Sequence, residues 1–132
     1  MNGGEMRKPI ETPQAWFRLA DENLLVAEQA LLADMPVFHT ICFLAQNAAE
    51  KYLKGYLIAA GWTLEKTHDI VVLLGLCVKY DAAFEGLLDG GVILNEYIVA
   101  GRYPGDLAFE EIGKTEAEEA VKIVRQIQSL VI

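Results

Sequence analysis

Cations are scarce in this sequence. Its 132 residues carry 11 lysines and arginines against 19 aspartates and glutamates, a formal charge of −8, and the isoelectric point is near 4.7. That balance excludes broad, sequence-blind binding to DNA or RNA, which needs a positive surface to displace counterions from phosphates. It leaves room only for a local basic site. Histidine is scarcer still, present as His39 and His68, and cysteine stops at Cys42 and Cys77. No C-x-x-C, H-x-x-x-H or H-E-x-x-H spacing occurs, so no metal site and no cofactor is expected. Both cysteines lie in apolar runs, TICFLA and LLGLCVKY, and read as buried free thiols of a reducing compartment rather than nucleophiles.

Long apolar runs are missing too. None reaches the roughly 18 residues that a membrane span requires. The opening MNGGEMRKP has no apolar core and does not read as a signal peptide, so residues 1–11 are expected to form a frayed tail before a single domain over 12–132, in the cytoplasm. The two-residue alternation of a half-buried strand is absent as well, and no Asn-Gly or Asp-Gly turn separates β-branched runs. An all-α fold is the consequence.

What the chain does have is apolar content, at 53%. A domain this small buries only about two-thirds of its unfolded surface. Either a second copy or a partner covers the excess, or alanines make the core unusually tight.

Helix punctuation recurs along the chain. Thr12 and Pro13 supply an N-cap and a first-turn proline, and Trp16, Leu19, Ala20, Asn23, Ala27, Ala30 and Leu31 then define one face of a helix to about Ala33. Asp34 is expected to cap the second helix, which carries Pro36 in its first turn and stops at Gly61. Its apolar face holds Phe38, Ile41, Ala45, Ala48, Ala49, Tyr52, Leu53 and Tyr56. The opposite arc holds His39, Thr40, Gln46, Asn47, Glu50, Lys51 and Lys54, with Phe43 in its middle as either a lone exposed ring or an interface anchor. Thr67 is the expected cap of a third, shorter helix with Asp69 in its first turn, and Asp81 that of a fourth segment. Gly90 and Gly91 each weaken that segment by about 1 kcal/mol relative to alanine, so a kink or a break is expected there. Thr115 and Glu118 read as a capping box for the last helix, with Ala117, Ala120, Val121, Val124, Ile127 and Val131 on its face.

Three stretches could carry chemistry. Gln46, Asn47, Glu50, Lys51 and Lys54 bring two amides, an acid and two ammonium groups onto one arc. Thr67-His68-Asp69 follows one short loop later, and Arg102 leads a proline turn in EYIVAGRYPGD. Taken in order, FLAQNAAEKYLKGYLIAAGW, THDIVVLL and LNEYIVAGRYPGD with a helical tail resemble the HEPN domain (higher eukaryotes and prokaryotes nucleotide-binding), from about Trp16 to Val131.

The resemblance implies an up-and-down four-helix bundle with an additional short helix, forming a homodimer with a shared groove. It also implies a minimal nucleotidyltransferase as partner, in a toxin–antitoxin or substrate-presenting pair, and a nucleotide as ligand. The ligand-binding set would be Gln46, Glu50, Lys51, Lys54, His68, Tyr97, Arg102 and Tyr103. Many relatives are metal-independent ribonucleases that use an arginine followed, four to six residues later, by a histidine. Arg102 matches the arginine, but RYPGDLAFEE contains no histidine. Moving the proton of a 2′-hydroxyl contributes roughly 10²–10⁴-fold, and Asp106, an anion beside RNA, substitutes poorly. The chain is therefore expected to be a binding module rather than an enzyme on its own. The alternatives are a ribonuclease pairing Arg102 with His68, and a purely structural helical dimer.

Each candidate also has a plainer use. Glu50 and Lys54 could form a solvated i,i+4 pair, and His68 could bridge helix ends at the start of the third helix. Tyr97 and Tyr103 could be core or interface rings or could stack on a base. Arg102 could offset a helix dipole or pair with Asp106, or its guanidinium fork could hold a phosphate.

Overall fold

Thr12 opens the first helix: its hydroxyl accepts from the Ala15 amide at 3.4 Å, and Pro13 sits where a missing N–H costs nothing. The computed structural model describes residues 12–100 and 111–132. Within them lie five α-helices: α1 Pro13–Leu32, α2 Phe38–Ala59, α3 Ile70–Val78, α4 Leu88–Ala100 and α5 Lys114–Val131, with a 3₁₀ turn at Ala82–Leu87 before α4. No strand occurs among the described residues, so the all-α reading holds. Also among them, no helix is long and apolar enough to cross a membrane. The expected tail over 1–11 lies outside the described residues.

Asp34 does not cap α2. It adopts φ 54°, the left-handed conformation, while its amide donates to Leu31 O at 3.1 Å and that of Met35 to Ala30 O at 3.1 Å. These are the paired bonds of a Schellman motif, so Asp34 terminates α1 and cannot hold the extended geometry of a cap. Val37 occupies the cap position of α2 without a side-chain bond. Gly61 closes α2 with the same motif at φ 97°, as expected.

Two other helix starts shift by two residues, while Asp81 caps its segment as expected. Asp69, not Thr67, caps α3, its Oδ1 accepting from Val72 N at 3.1 Å, while Thr67 Oγ1 accepts from the Asp69 amide at 3.2 Å. His68 thus precedes the helix instead of standing in its first turn. Asp81 caps the 3₁₀ turn, accepting from Ala83 N at 2.9 Å. The last helix starts with Gly113 as cap, its amide donating to Glu116 Oε1 at 2.7 Å as in one half of a capping box, in place of Thr115 and Glu118.

The expected break at Gly90 and Gly91 does not occur; α4 is continuous through them. A Cβ on Gly91 would lie 2.7 Å from Leu74 Cδ1, and one on Gly90 2.9 Å from Ile123 Cγ2. Close approach to α3 and α5 offsets their poor helix propensity.

At the centre lies α2, packed against α1, α3, α4 and α5. Ile41, Tyr52, Leu53 and Leu57 meet Leu73, Leu74, Phe84, Leu94, Val124 and Ile127 in one core. The expected face of α5 is buried from Ala117 to Ile127, joined by Ile123, with Val131 half-buried, whereas on α1 burial centres on Ala20, Leu24 and Ala27. Between Ile41 and Leu57, Phe43 alone is exposed, and burial takes in Gln46, Glu50 and Lys54 of the opposite arc. Its polar arc is therefore no solvated face.

Candidate functional site

Three polar residues of α2 are buried: Gln46 at 3% exposure, Glu50 at 8% and Lys54 at 4%. Their spacing of four places them one above another along the helix. Burying charge is costly unless it is paired, and the partners are close. Glu50 Oε2 accepts from Lys54 Nζ at 3.0 Å, and Lys54 Nζ stands 5.9 Å from the centroid of the Trp16 ring on α1, within cation–π reach. The other oxygen, Glu50 Oε1, lies 2.7 Å from His68 Nδ1. Gln46 Nε2 donates to the backbone carbonyl of His68 at 3.5 Å.

His68 itself is open, with 68% of its side chain exposed. The arrangement is thus a buried ion pair that holds an exposed imidazole by one nitrogen. A carboxylate only accepts, so its contact with Nδ1 places the ring proton there and leaves Nε2 as the acceptor nitrogen of a mostly exposed ring. A ring fixed in this way can accept a proton at Nε2 or, once protonated, donate to an oxygen anion. Lys51 borders the pair, half-buried; desolvation lowers its pKa from the ordinary lysine value, with Glu50 opposing the shift and Lys54 adding to it.

A HEPN domain profile matches residues 13–131. The chain belongs to the HEPN family. A crystal structure described as an archaeal HEPN homologue is similar at a TM-score of 0.73 with 25% identity, the match covering 92% of this chain and 96% of that one. No curated protein matches.

In this HEPN chain, Gln46, Glu50, Lys54 and His68 of the expected set come together, with Lys51 beside them. Lys54 plays a different part from the one its sequence position implied. Buried and paired to Glu50, it balances the acid and is not free to meet an anion. Tyr97 is placed elsewhere: it is 5% exposed, hydrogen-bonded to the Cys42 thiol, and Cys42 lies eight residues before Glu50, about 12 Å along α2. Burial raises both groups, Cys42 to about 12. Arg102, Tyr103 and Asp106 lie outside the described residues.

Two polar residues escaped notice in the sequence. Asn95 on α4 reaches the start of α3, where its Oδ1 accepts from Ile70 N at 2.7 Å and its Nδ2 donates to Asp69 Oδ1 at 2.8 Å. The Asn95 bond, then that from Val72 N, holds the Asp69 carboxyl below the ordinary aspartate value. Tyr52, assigned to the apolar face, is fully buried, yet its hydroxyl donates to Asp21 and accepts from Gln128 Nε2 at 3.0 Å, tying α1, α2 and α5. A single asparagine among apolar residues and a tyrosine on an apolar face look unremarkable until the helices are placed.

Proposed function

We propose that this HEPN chain is a nucleotide-binding module in which His68 meets the phosphate. We infer further that it works in the cytoplasm as an up-and-down four-helix-bundle homodimer, beside a minimal nucleotidyltransferase in a toxin–antitoxin pair. The observation that carries the ligand reading is the 2.7 Å contact between buried Glu50 and exposed His68. It orients a polar group toward solvent at the expense of a buried charge, which a purely structural helix pair does not need. Half-buried Lys51 adds a cation nearby.

Calorimetric titration with ATP tests this. Saturable binding by the wild type, weakened at least tenfold in His68→Ala, is expected. No heat at millimolar ATP would overturn it.

The same Glu50–His68 pair favours one second reading. A ring held at Nδ1 with Nε2 outward is also what a general base acting on a 2′-hydroxyl requires. In that reading the chain is a metal-independent ribonuclease using His68 with Arg102. RNA cleaved in EDTA by the wild type, but not by His68→Ala or Arg102→Ala, supports it; RNA left intact disposes of it.

A further inference from the structure

Asn95 stands on α4, and the chain reaches His68 only through α3 and two connections, yet the two are linked by short polar contacts. The N–H of Ile70, the first residue of α3, is one of the donors that a helix start leaves without an intrahelical partner. Asp69 does not serve it, because its Oδ1 accepts from Val72 N at 3.1 Å. Asn95 Oδ1 takes that donor at 2.7 Å, and Asn95 Nδ2 steadies Asp69 Oδ1 at 2.8 Å. One side-chain amide thereby grips both sides of the Asp69–Ile70 link. The Asp69 amide donates back to Thr67 Oγ1 at 3.2 Å and the Thr67 amide to Glu65 O at 3.0 Å, so the backbone on either side of His68 is bonded. From the opposite side, Gln46 holds the His68 carbonyl and Glu50 holds the ring.

We propose that Asn95 is a positioning residue for His68. By fixing the Asp69–Ile70 link from α4, it sets the direction in which the imidazole leaves the backbone. That direction keeps Nδ1 on Glu50 and Nε2 in solvent. The proposal rests on the reading of His68 as the ligand-facing group, and it makes α4 as necessary to that group as α2. A helix-capping role alone would end at the stability of α3; a positioning role extends to the ring.

The test is read on the ring of the full-length free protein. Long-range ¹⁵N–¹H spectra report which imidazole nitrogen carries the proton, and His39→Gln separates the two histidines. The wild type is expected to show His68 as one tautomer, protonated at Nδ1. Asn95→Ala is expected to show mixed tautomers and an ATP affinity weakened about fivefold or more, the scale of one lost hydrogen bond. Gln128→Ala, which breaks a bond to Tyr52 on another side of the molecule, should lower stability and leave the His68 signals in place. Should Asn95→Ala not fold, Asn95→Asp retains an acceptor for Ile70 N, loses the donor to Asp69, and is read in the same way.

A ring pattern unchanged in either Asn95 variant would reduce Asn95 to a helix cap and overturn the proposal. A wild-type ring already in mixed tautomers would overturn it too. If the wild type binds no ATP but the Asn95 variants still shift the ring, the ligand reading fails and the positioning role stands.

Discussion

Glu50 and His68, 18 residues apart in the chain, meet at 2.7 Å, the acid buried on α2 and the ring open to solvent before α3. Glu50 gives its second oxygen to Lys54, so one buried acid serves two cationic or ionisable neighbours. The site's behaviour follows from that bridging position.

Removing Glu50 leaves the Lys54 ammonium buried without its counter-charge. Glu50→Ala is therefore expected to destabilise the fold by about 3–5 kcal/mol, measured by urea unfolding. The double variant Glu50→Gln/Lys54→Met removes both charges and should recover much of the loss. A double variant as unstable as Glu50→Ala would show that the pair does not act as a unit.

Acid stability should depend on Asn95. The bond from Asn95 holds the Asp69 pKa below its ordinary value of 3.8. A depressed carboxylate contributes stability that is present above the unfolded-state value and lost as pH falls through the folded one. The stability gap between wild type and Asn95→Ala should thus be full near neutrality and narrow as pH drops below that value. Thermal unfolding from pH 6 to pH 2.5 measures it; a gap that widens toward acid would contradict the assignment.

Packing against the site is tight at Gly55. An added Cβ there would lie 2.7 Å from Phe17 Cε1 and 3.1 Å from Trp16 Cβ, whereas Gly75 on α3 has open space around it. Gly55→Ala is expected to lower stability by about 1–3 kcal/mol through overpacking. Gly75→Ala should raise it by up to about 1 kcal/mol through helix propensity. Equal effects of the same sign in denaturant melts would refute the close α1–α2 contact.

The two thiols should be silent in the native state. Burial pushes Cys42 and Cys77 each up to about 12, and the thiolate is the reactive species. Ellman's reagent at pH 8 is expected to label neither until denaturant is added. Rapid native labelling of either would contradict its burial.

Much of the helical frame was legible because it depends on local signals: proline and hydroxyl at Thr12–Pro13, a glycine stop at Gly61, and a 3.6-residue stripe on α5. Helix starts stand two to three residues from the positions that local signals favour, because contacts beyond the segment choose among the caps. Thr67 lost to Asp69 because Asn95 reinforces the carboxylate from another helix, and Asp34 was claimed by the end of α1 before α2 could use it. The helix stays unbroken at Gly90–Gly91 for a related reason, since propensity cannot show which neighbour a glycine lets in. At the site, residue types were legible and environment was not. Four residues of the polar arc and loop converge as a group, but only the fold reveals that Lys54 is buried and His68 exposed.

The most direct test of His68 as the ligand-facing group is the His68 Nε2 resonance during titration with ATP. A saturable shift confined to His68, absent from His39, is the predicted result. A resonance that stays fixed through millimolar ATP, in a protein shown to be folded, would contradict it.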